Sequence, residues 1–266
     1  NGSGNSPVRA VEAAVGDDVI TTGIGSDVAI GGLGNETIDV SDGANIVIGD
    51  EGKIHYQNQL SDLEEISTHF TDGAGSFAQG GEHTITSGTG RDYILSGSGS
   101  DRLASGDGAD VILRDGQILF HPGTSIPSMI QTAYQDDNDV LLSSGDSVIF
   151  SGGGDDIVFA GSGNDWVEGG TGGDLLVGDE GIVTFDPGHA AAGEAVVDFI
   201  ESVFLTPDGQ LIPGGSDVLL GQHDDDIVIG GSLDDMLDGG FGRDLLVGNH
   251  VTLDGPASWS QGSPWS

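Results

Sequence analysis

The amino-acid sequence predicts an all-β fold, a solenoid of short stacked coils, and three observations lead to this class. Glycines recur with a nine-residue period. An acidic or amide residue stands at the sixth place of most repeats, and an aliphatic residue follows at the seventh or eighth place. The repeats are grouped in blocks, and these blocks themselves recur along the chain. Such internal periodicity is the mark of a repeat architecture.

The first clear copies are TGIGSDVAI, which begins at Thr22, and GGLGNETID, which begins at Gly31. Glycine permits the positive φ angles of a tight turn. The triplet after the acid has a central aliphatic residue and is too short for a helix, so it predicts a short strand with one inward side chain. Two nonapeptides therefore make one full coil, and stacked coils bury a narrow ladder of aliphatic side chains.

The nonapeptide register returns in three further blocks, at 87–113, 151–177 and 221–247. Each block ends in a short polar turn that is followed by an apolar strand. These turns begin at Gly49, Arg114, Gly178 and Gly248, and the intervals between them are nearly equal. The units expected from this spacing are 1–56, 57–120, 121–185 and 186–254, with a tail at 255–266.

An insertion separates the apolar strand of one unit from the next block. Residues 57–70 have a moderately helical pattern, and Val196, Val197, Ile200 and Val203 would lie on one face of a helix within 189–205. We expect the insertions to cover an open side of the solenoid or its coil edges, which would otherwise present unpaired strands. A role in partner binding is the alternative.

The charge of the chain excludes polyanionic partners. The 266 residues include 44 acidic and 6 basic side chains, for a formal net charge of -38. This charge repels nucleic acid and anionic membranes, so we expect neither nucleic-acid binding nor membrane insertion. The chain has no cysteine, which fits chance, a cytosolic origin, or a bacterial exported protein stabilised by metal in place of disulfides.

The stacked carboxylates predict a metal. In a coil made of two nonapeptides, sixth-place acids lie above one another: Asp18 with Glu36, Asp92 with Asp110, Asp156 with Asp174, Asp217 with Asp235, and Asp226 with Asp244. Carboxylates at the strand spacing of roughly 5 Å repel unless a cation lies between them. Ca²⁺ accepts about 6–8 oxygen ligands in flexible geometry, whereas Mg²⁺ requires a stricter octahedron. Transition metals prefer histidine or cysteine, which the repeats are expected to lack. We predict several bound Ca²⁺ ions.

No catalytic motif accompanies the repeats. H-E-x-x-H, G-x-S-x-G and a completed G-x-G-x-x-G are all missing, and Lys53 is the sole lysine. His55 and His121 are interpreted as surface or packing residues. Carboxylates that hold calcium remain ionised and are poor acid–base catalysts. We therefore expect that the chain is not an enzyme.

The copies GGLGNETID, SGSGSDRLA, AGSGNDWVE and GGFGRDLLV resemble the RTX, or haemolysin-type calcium-binding, family. The resemblance covers about two-thirds of the chain. It implies a right-handed parallel β-roll, a form of parallel β-helix, with calcium in both rows of turns. It also implies type I secretion of the unfolded chain by a bacterium, with folding in extracellular calcium.

The resemblance assigns calcium ligands position by position. The sixth-place residues that it implies are Asp18, Asp27, Glu36, Asp92, Asp101, Asp110, Asp139, Asp156, Asp165, Asp174, Asp217, Asp226, Asp235 and Asp244. Glu36, Asn45, His83 and Ser147 depart from aspartate. We therefore do not expect full-strength sites at the edge of the first block or at the start of the second and third blocks.

Two functions of different classes follow. The first is a calcium-stabilised structural segment of a secreted or cell-surface bacterial protein, such as an adhesin, a surface-layer component or a filament. Its partners would be neighbouring repeats of a longer chain, or other copies stacked end to end. The alternative is a calcium-dependent secretion and folding tail of an enzyme whose catalytic domain lies outside this chain. A carbohydrate-binding insertion is disfavoured because aromatic residues make up 6% of the chain.

Overall fold

The structure is a computed structural model that describes residues 8–10, 16–57, 62–68, 81–132, 145–190, 195–205 and 211–254. These residues form 24 strands in three eight-stranded sheets, and one short helix, α1 (Pro187–Ala190). The predicted all-β, parallel solenoid is thereby confirmed. In this part of the chain, no helix has the length and apolar character required to cross a membrane.

The first parallel sheet has one buried face. Its strands, in spatial order, are β2 (Val19–Thr21), β4 (Thr37–Val40), β8 (Thr84–Ser87), β10 (Arg102–Ala104), β14 (Val148–Gly153), β16 (Trp166–Thr171), β20 (Val218–His223) and β22 (Met236–Asp238). Ile85 is fully buried, whereas its neighbours Thr84 and Thr86 are exposed. Because side chains alternate along a strand, one aliphatic residue for each strand is enough to build this layer.

The second parallel sheet is buried on both faces in the six strands between its two end strands. Its strands are β3 (Val28–Ile30), β5 (Ile46–Ile48), β9 (Tyr93–Leu95), β11 (Val111–Leu113), β15 (Ile157–Phe159), β17 (Leu175–Val177), β21 (Ile227–Ile229) and β23 (Leu245–Val247). In β5, Val47 points toward the first parallel sheet, and Ile46 and Ile48 point away from it. A strand buried on two faces requires the continuous apolar triplets that these strands contain.

A third, antiparallel sheet covers the outer face of the second parallel sheet. It contains β1 (Val8–Ala10), β6 (Gly52–Tyr56), β7 (Leu63–Ser67), β12 (Gly116–Phe120), β13 (Pro127–Thr132), β18 (Gly181–Phe185), β19 (Val197–Ser202) and β24 (Thr252–Asp254). Ile54, Ile118 and Phe159 share the core between these two sheets. The insertions therefore cover one side of the solenoid.

The expectation of helical insertions was wrong in the described residues. Within 57–70 the chain forms β7, and within 189–205 it forms β19 after the final residues of α1. Each of these strands pairs with the apolar strand that ends the preceding unit, as in Lys53 with Ser67 and Ile182 with Glu201. A helix would have left that strand with an unpaired edge.

The coil register survives every insertion. Within a block, residues that occupy the same place in successive coils pair in the first parallel sheet, as in Val19 with Thr37. Across each of the three insertions the step along the chain is longer, as in Trp166 with Val218, yet the strands remain neighbours. The chain thus leaves the roll after the second parallel sheet, forms a hairpin in the antiparallel sheet, and returns to the next turn. This path brings distant acids into continuous rows.

Candidate metal centres in the turns

Two rows of turns connect the parallel sheets. Turn row 1 precedes the strands of the first parallel sheet, and turn row 2 precedes those of the second. We call the residue just before each strand the ligand place. In row 1 these residues are Asp18, Glu36, His83, Asp101, Ser147, Asp165, Asp217 and Asp235. In row 2 they are Asp27, Asn45, Asp92, Asp110, Asp156, Asp174, Asp226 and Asp244. Asp139 lies outside the described residues.

Hydrogen bonds between coils orient the carboxylates. The backbone N–H of Asp92 donates to Oδ1 of Asp110, and the N–H of Asp110 donates to Oδ1 of Asp156, each at 2.8 Å. The pattern runs through row 2 from Asp27 to Asp244, with distances of 2.8–3.2 Å. One oxygen of each ligand-place carboxylate from Asp92 to Asp244 therefore accepts a backbone N–H, and the other oxygen takes no part in this pattern.

The second carboxylate oxygen is buried and has no hydrogen-bond partner. This holds for Oδ2 of Asp27, Asp92, Asp101, Asp110, Asp156, Asp165, Asp174, Asp217, Asp226 and Asp235. A buried polar atom without a partner is costly, and a buried charge is more so. The regular recurrence of such atoms along two rows indicates a cation that bonds to oxygen.

Burial makes the ionised form of these groups unfavourable in the absence of a cation. The pKa of Asp156 is raised to about 9, chiefly by burial. The hydrogen bond from the Asp110 backbone lowers this pKa, and the neighbouring charges of Asp174 and Asp110 contribute to its rise. Burial likewise raises the pKa of Asp174 and of Asp217 to about 8. At neutral pH the metal-free carboxyls would hold protons. A bound cation would favour the carboxylate form.

Glycines allow the turns to stack closely enough to add carbonyl oxygens. Gly163 has a φ of 133°, and a Cβ atom there would overlap the carbonyl oxygen of Gly145 in the preceding coil. Only glycine is compatible with both constraints. The turns therefore present carboxylate and carbonyl oxygens together, and this all-oxygen donor set fits Ca²⁺.

Asn45 is one departure from aspartate, and its side-chain amide bonds to the carbonyls of its own turn. Oδ1 of Asn45 accepts the N–H of Asp27, as an aspartate would. Its Nδ2 donates to the carbonyl oxygens of Ser41 at 3.0 Å and Gly43 at 2.9 Å. The turn carbonyls are thereby satisfied from within the chain.

His83 is the departure from aspartate that brings ring nitrogens into turn row 1. His83 Nδ1 lies 3.2 Å from the backbone N of Glu36 and 2.7 Å from Glu36 Oε2. Its Nε2 lies 3.0 Å from Asp50 Oδ1. One ligand atom from each of these buried residues lies within 4.8 Å of the other two, so the group could hold a metal ion. Sequence reasoning missed Asp50, although it belongs to the polar turn that ends the first unit.

The unit-ending turns supply further contacts to row 1. Asp50 Oδ2 accepts the N–H of Ser98 at 2.8 Å. At the end of the third unit, Asp179 accepts the N–H groups of Gly215, at 2.9 Å, and of Ser232. Two of these turns therefore place a buried acid against the turns of the following block.

A comparison with known protein families found a match to a calcium-binding repeat. The model of the RTX calcium-binding nonapeptide repeat (4 copies) matches residues 12–47, 30–53, 80–112, 133–167 and 214–237, which together make up about half of the chain. Searches of curated proteins and of solved structures found no match.

Proposed function

This chain belongs to the RTX calcium-binding nonapeptide-repeat family, and we propose that it is a calcium-stabilised structural segment of a secreted or cell-surface bacterial protein. RTX repeats are typical of secreted bacterial proteins. The observation that carries the proposal is the set of buried, unpartnered Oδ2 atoms along both turn rows.

Calcium acts here as a ligand of the folded state. The ligand-place aspartates of three successive row 2 turns, Asp110, Asp156 and Asp174, are each at most 1% exposed. They meet only when the coils stack, because 46 and 18 residues separate them along the chain. An ion that binds the folded chain and not the unfolded chain stabilises folding by mass action. We therefore propose that calcium drives folding once the chain is outside the cell.

The proposed role is structural and not catalytic. Most of the buried carboxyls with raised pKa values are those assigned to calcium, such as Asp156 and Asp174. Asp179 and Glu180, in the polar turn that ends the third unit, also have raised pKa values. A calcium-bound carboxylate is a weak proton donor or acceptor. A regular three-layer solenoid is suited to span distance or to display other elements.

Exposed apolar residues at both ends of the described solenoid support end-to-end contacts. Val19 and Ile24 in the first described coil are 78% and 86% exposed, and Met236 and Phe241 in the last are 55% and 77% exposed. We propose that these end coils stack on further repeats of the same kind. An adhesin, a surface-layer component or a filament would contain such an extended array.

The decisive test is far-UV circular dichroism during calcium titration of a chelated sample. We expect β-structure to form cooperatively with calcium and to disappear on chelation. Mg²⁺ at the same concentration is the matched control, and we expect it to be a weaker inducer. If the chain is equally folded with and without calcium, the aspartate rows are ordinary turns and the proposal fails.

A further inference from the structure

Arg114 occupies a place that small residues hold in the other coils. This place directly follows each strand of the second parallel sheet. In the other coils it is held by Gly31, Gly49, Ser96, Ala160, Gly178, Gly230 and Gly248. Arg114 is only 3% exposed. A buried guanidinium is costly unless its donors are satisfied, so its contacts identify its role.

The guanidinium bonds to the carbonyls of three successive turns of row 1. Nη2 donates to the carbonyl oxygen of Gly99. Nη1 donates to the carbonyl oxygen of Gly145 at 2.9 Å and to that of Ser162. Gly99 and Gly145 lie two residues before their ligand places, and Ser162 lies three before its own. The positive charge is thus surrounded by the carbonyl oxygens that a cation in this row would use.

The aspartate ladder is interrupted at the same coil. Ser147 is the ligand-place residue of the turn that contains Gly145, and aspartates stand on either side, at Asp101 and Asp165. The Ser147 hydroxyl accepts the N–H of Asp101 at 3.3 Å, and the N–H of Ser147 donates to Asp165 at 2.6 Å. The hydrogen bonds between coils therefore continue through Ser147. This coil lacks the carboxylate of the other turns, and it is the coil that the Arg114 guanidinium contacts.

The equivalent turns of two other units make the opposite contact. Asp50 and Asp179 accept N–H groups from Ser98 and Ser232, which hold the third place of their nonapeptides. Ser162 holds the same third place, but Arg114 donates to its carbonyl. Among these three contacts, donor and acceptor are exchanged only at the one whose unit-ending turn begins with an arginine. The neighbouring ligand place there is Ser147 and not an aspartate.

The electrostatics of the neighbouring acids agree with this arrangement. Burial raises the pKa of Asp165 to about 7, and the charge of Arg114 acts in the opposite direction. Burial also raises the pKa of Asp101, where Arg114 again lowers it. The guanidinium therefore partly fulfils for these two carboxylates the role expected of a metal ion.

We propose that the Arg114 guanidinium occupies one cation position of turn row 1, so that the coil of Ser147 is held by a protein side chain in place of calcium. This inference rests on the proposed function, because it takes calcium to occupy other turns. It implies that substitution of these two residues toward the pattern of the other coils creates a calcium site.

The test is a set of four chains: wild type, Arg114→Gly, Ser147→Asp and the double variant. Glycine is the residue at the equivalent place in the other three unit-ending turns, so Arg114→Gly suits the backbone. Calcium per folded chain is measured by native mass spectrometry, and thermal melting is followed by circular dichroism. Arg102→Ala removes a positive charge from the exposed side of β10 and serves as the charge control.

We expect the double variant to bind one more calcium ion than the wild type. Ser147→Asp alone should keep the wild-type count, because the guanidinium still holds the position and pairs with the new carboxylate. Arg114→Gly alone should melt at a lower temperature than both wild type and Arg102→Ala. Equal counts in the wild type and the folded double variant, or an extra ion in Ser147→Asp alone, would overturn this inference only. A wild-type chain that binds no calcium would overturn the proposed function as well.

Discussion

Asp156→Asn separates the two roles that we assign to a ligand-place carboxylate. Asp156 is fully buried, its Oδ1 accepts the N–H of Asp110 at 2.8 Å, and its Oδ2 has no partner. Asparagine keeps the oxygen that accepts the N–H of Asp110. Its amide then lies where Oδ2 was and can donate to turn carbonyls, as the amide of Asn45 does.

The magnitude follows from the pKa of Asp156. Burial raises it from 3.8 to about 9, so at neutral pH the folded chain holds a proton that the unfolded chain releases. Holding this proton at neutral pH, well above the unfolded pKa, costs about 4 kcal/mol. Asparagine has no carboxyl to protonate, so Asp156→Asn should stabilise the calcium-free chain by up to about 4 kcal/mol. In calcium, loss of one charged ligand should raise the calcium concentration at the folding midpoint by about tenfold.

Urea unfolding followed by circular dichroism, with chelator and with saturating calcium, measures both effects. Asp198→Asn removes the same charge from β19, outside the turn rows, and should change neither measurement appreciably. We expect opposite signs for Asp156→Asn in the two conditions. A variant that destabilises the calcium-free and calcium-loaded chains equally would refute the reasoning, because the carboxylate would then be only a backbone cap.

Three further predictions concern pH, the covering sheet and the coil ends. Because the folded-state pKa values of Asp156 and Asp174 are about 9 and about 8, above the unfolded value of 3.8, the calcium-free fold should gain stability as pH falls through this window. The calcium-loaded fold should lose its ions and stability over the same window, so parallel pH trends in thermal melts would contradict the assignment. Ile118→Ala should destabilise the calcium-loaded chain by about 2–5 kcal/mol in urea unfolding, because Ile118 is fully buried under the antiparallel sheet. Thr86→Ala, at an exposed position, should change the free energy of unfolding little. An equal loss of stability in Thr86→Ala and Ile118→Ala would argue against this core. Phe241→Asp should reduce self-association in sedimentation velocity without changing the melting temperature, and unchanged association would exclude stacking through that coil.

The nine-residue period was sufficient to predict the parallel strands and the acids that stack within a block. Turn and strand alternate within nine residues, so residues two periods apart necessarily lie in adjacent coils. Asp92 with Asp110 and Asp156 with Asp174 follow directly from this period, and both pairs are linked in the structure. Calcium ligation by these acids and the proposed unit boundaries stay predictions.

The insertions could not be predicted in the same way. The segment that forms β19 contains apolar residues at spacings that suit a helix or a strand, and local pattern does not choose between them. Its pairing with β18 decides the outcome, because the hydrogen bonds of β18 need a neighbour. The antiparallel sheet, and therefore the second layer of core, is a consequence of tertiary contact.

By itself, the sequence determined the coil, the spacing of the acids and the family, because all three follow from the nine-residue repeat. Only the tertiary structure decided how the departures from that period are satisfied. Asn45 bonds its own turn, whereas His83 meets Asp50 and Arg114 meets Ser162 across 33 and 48 residues. The physical reason is that a buried polar group without a partner is costly, and the stacking of coils determines which distant group lies within reach.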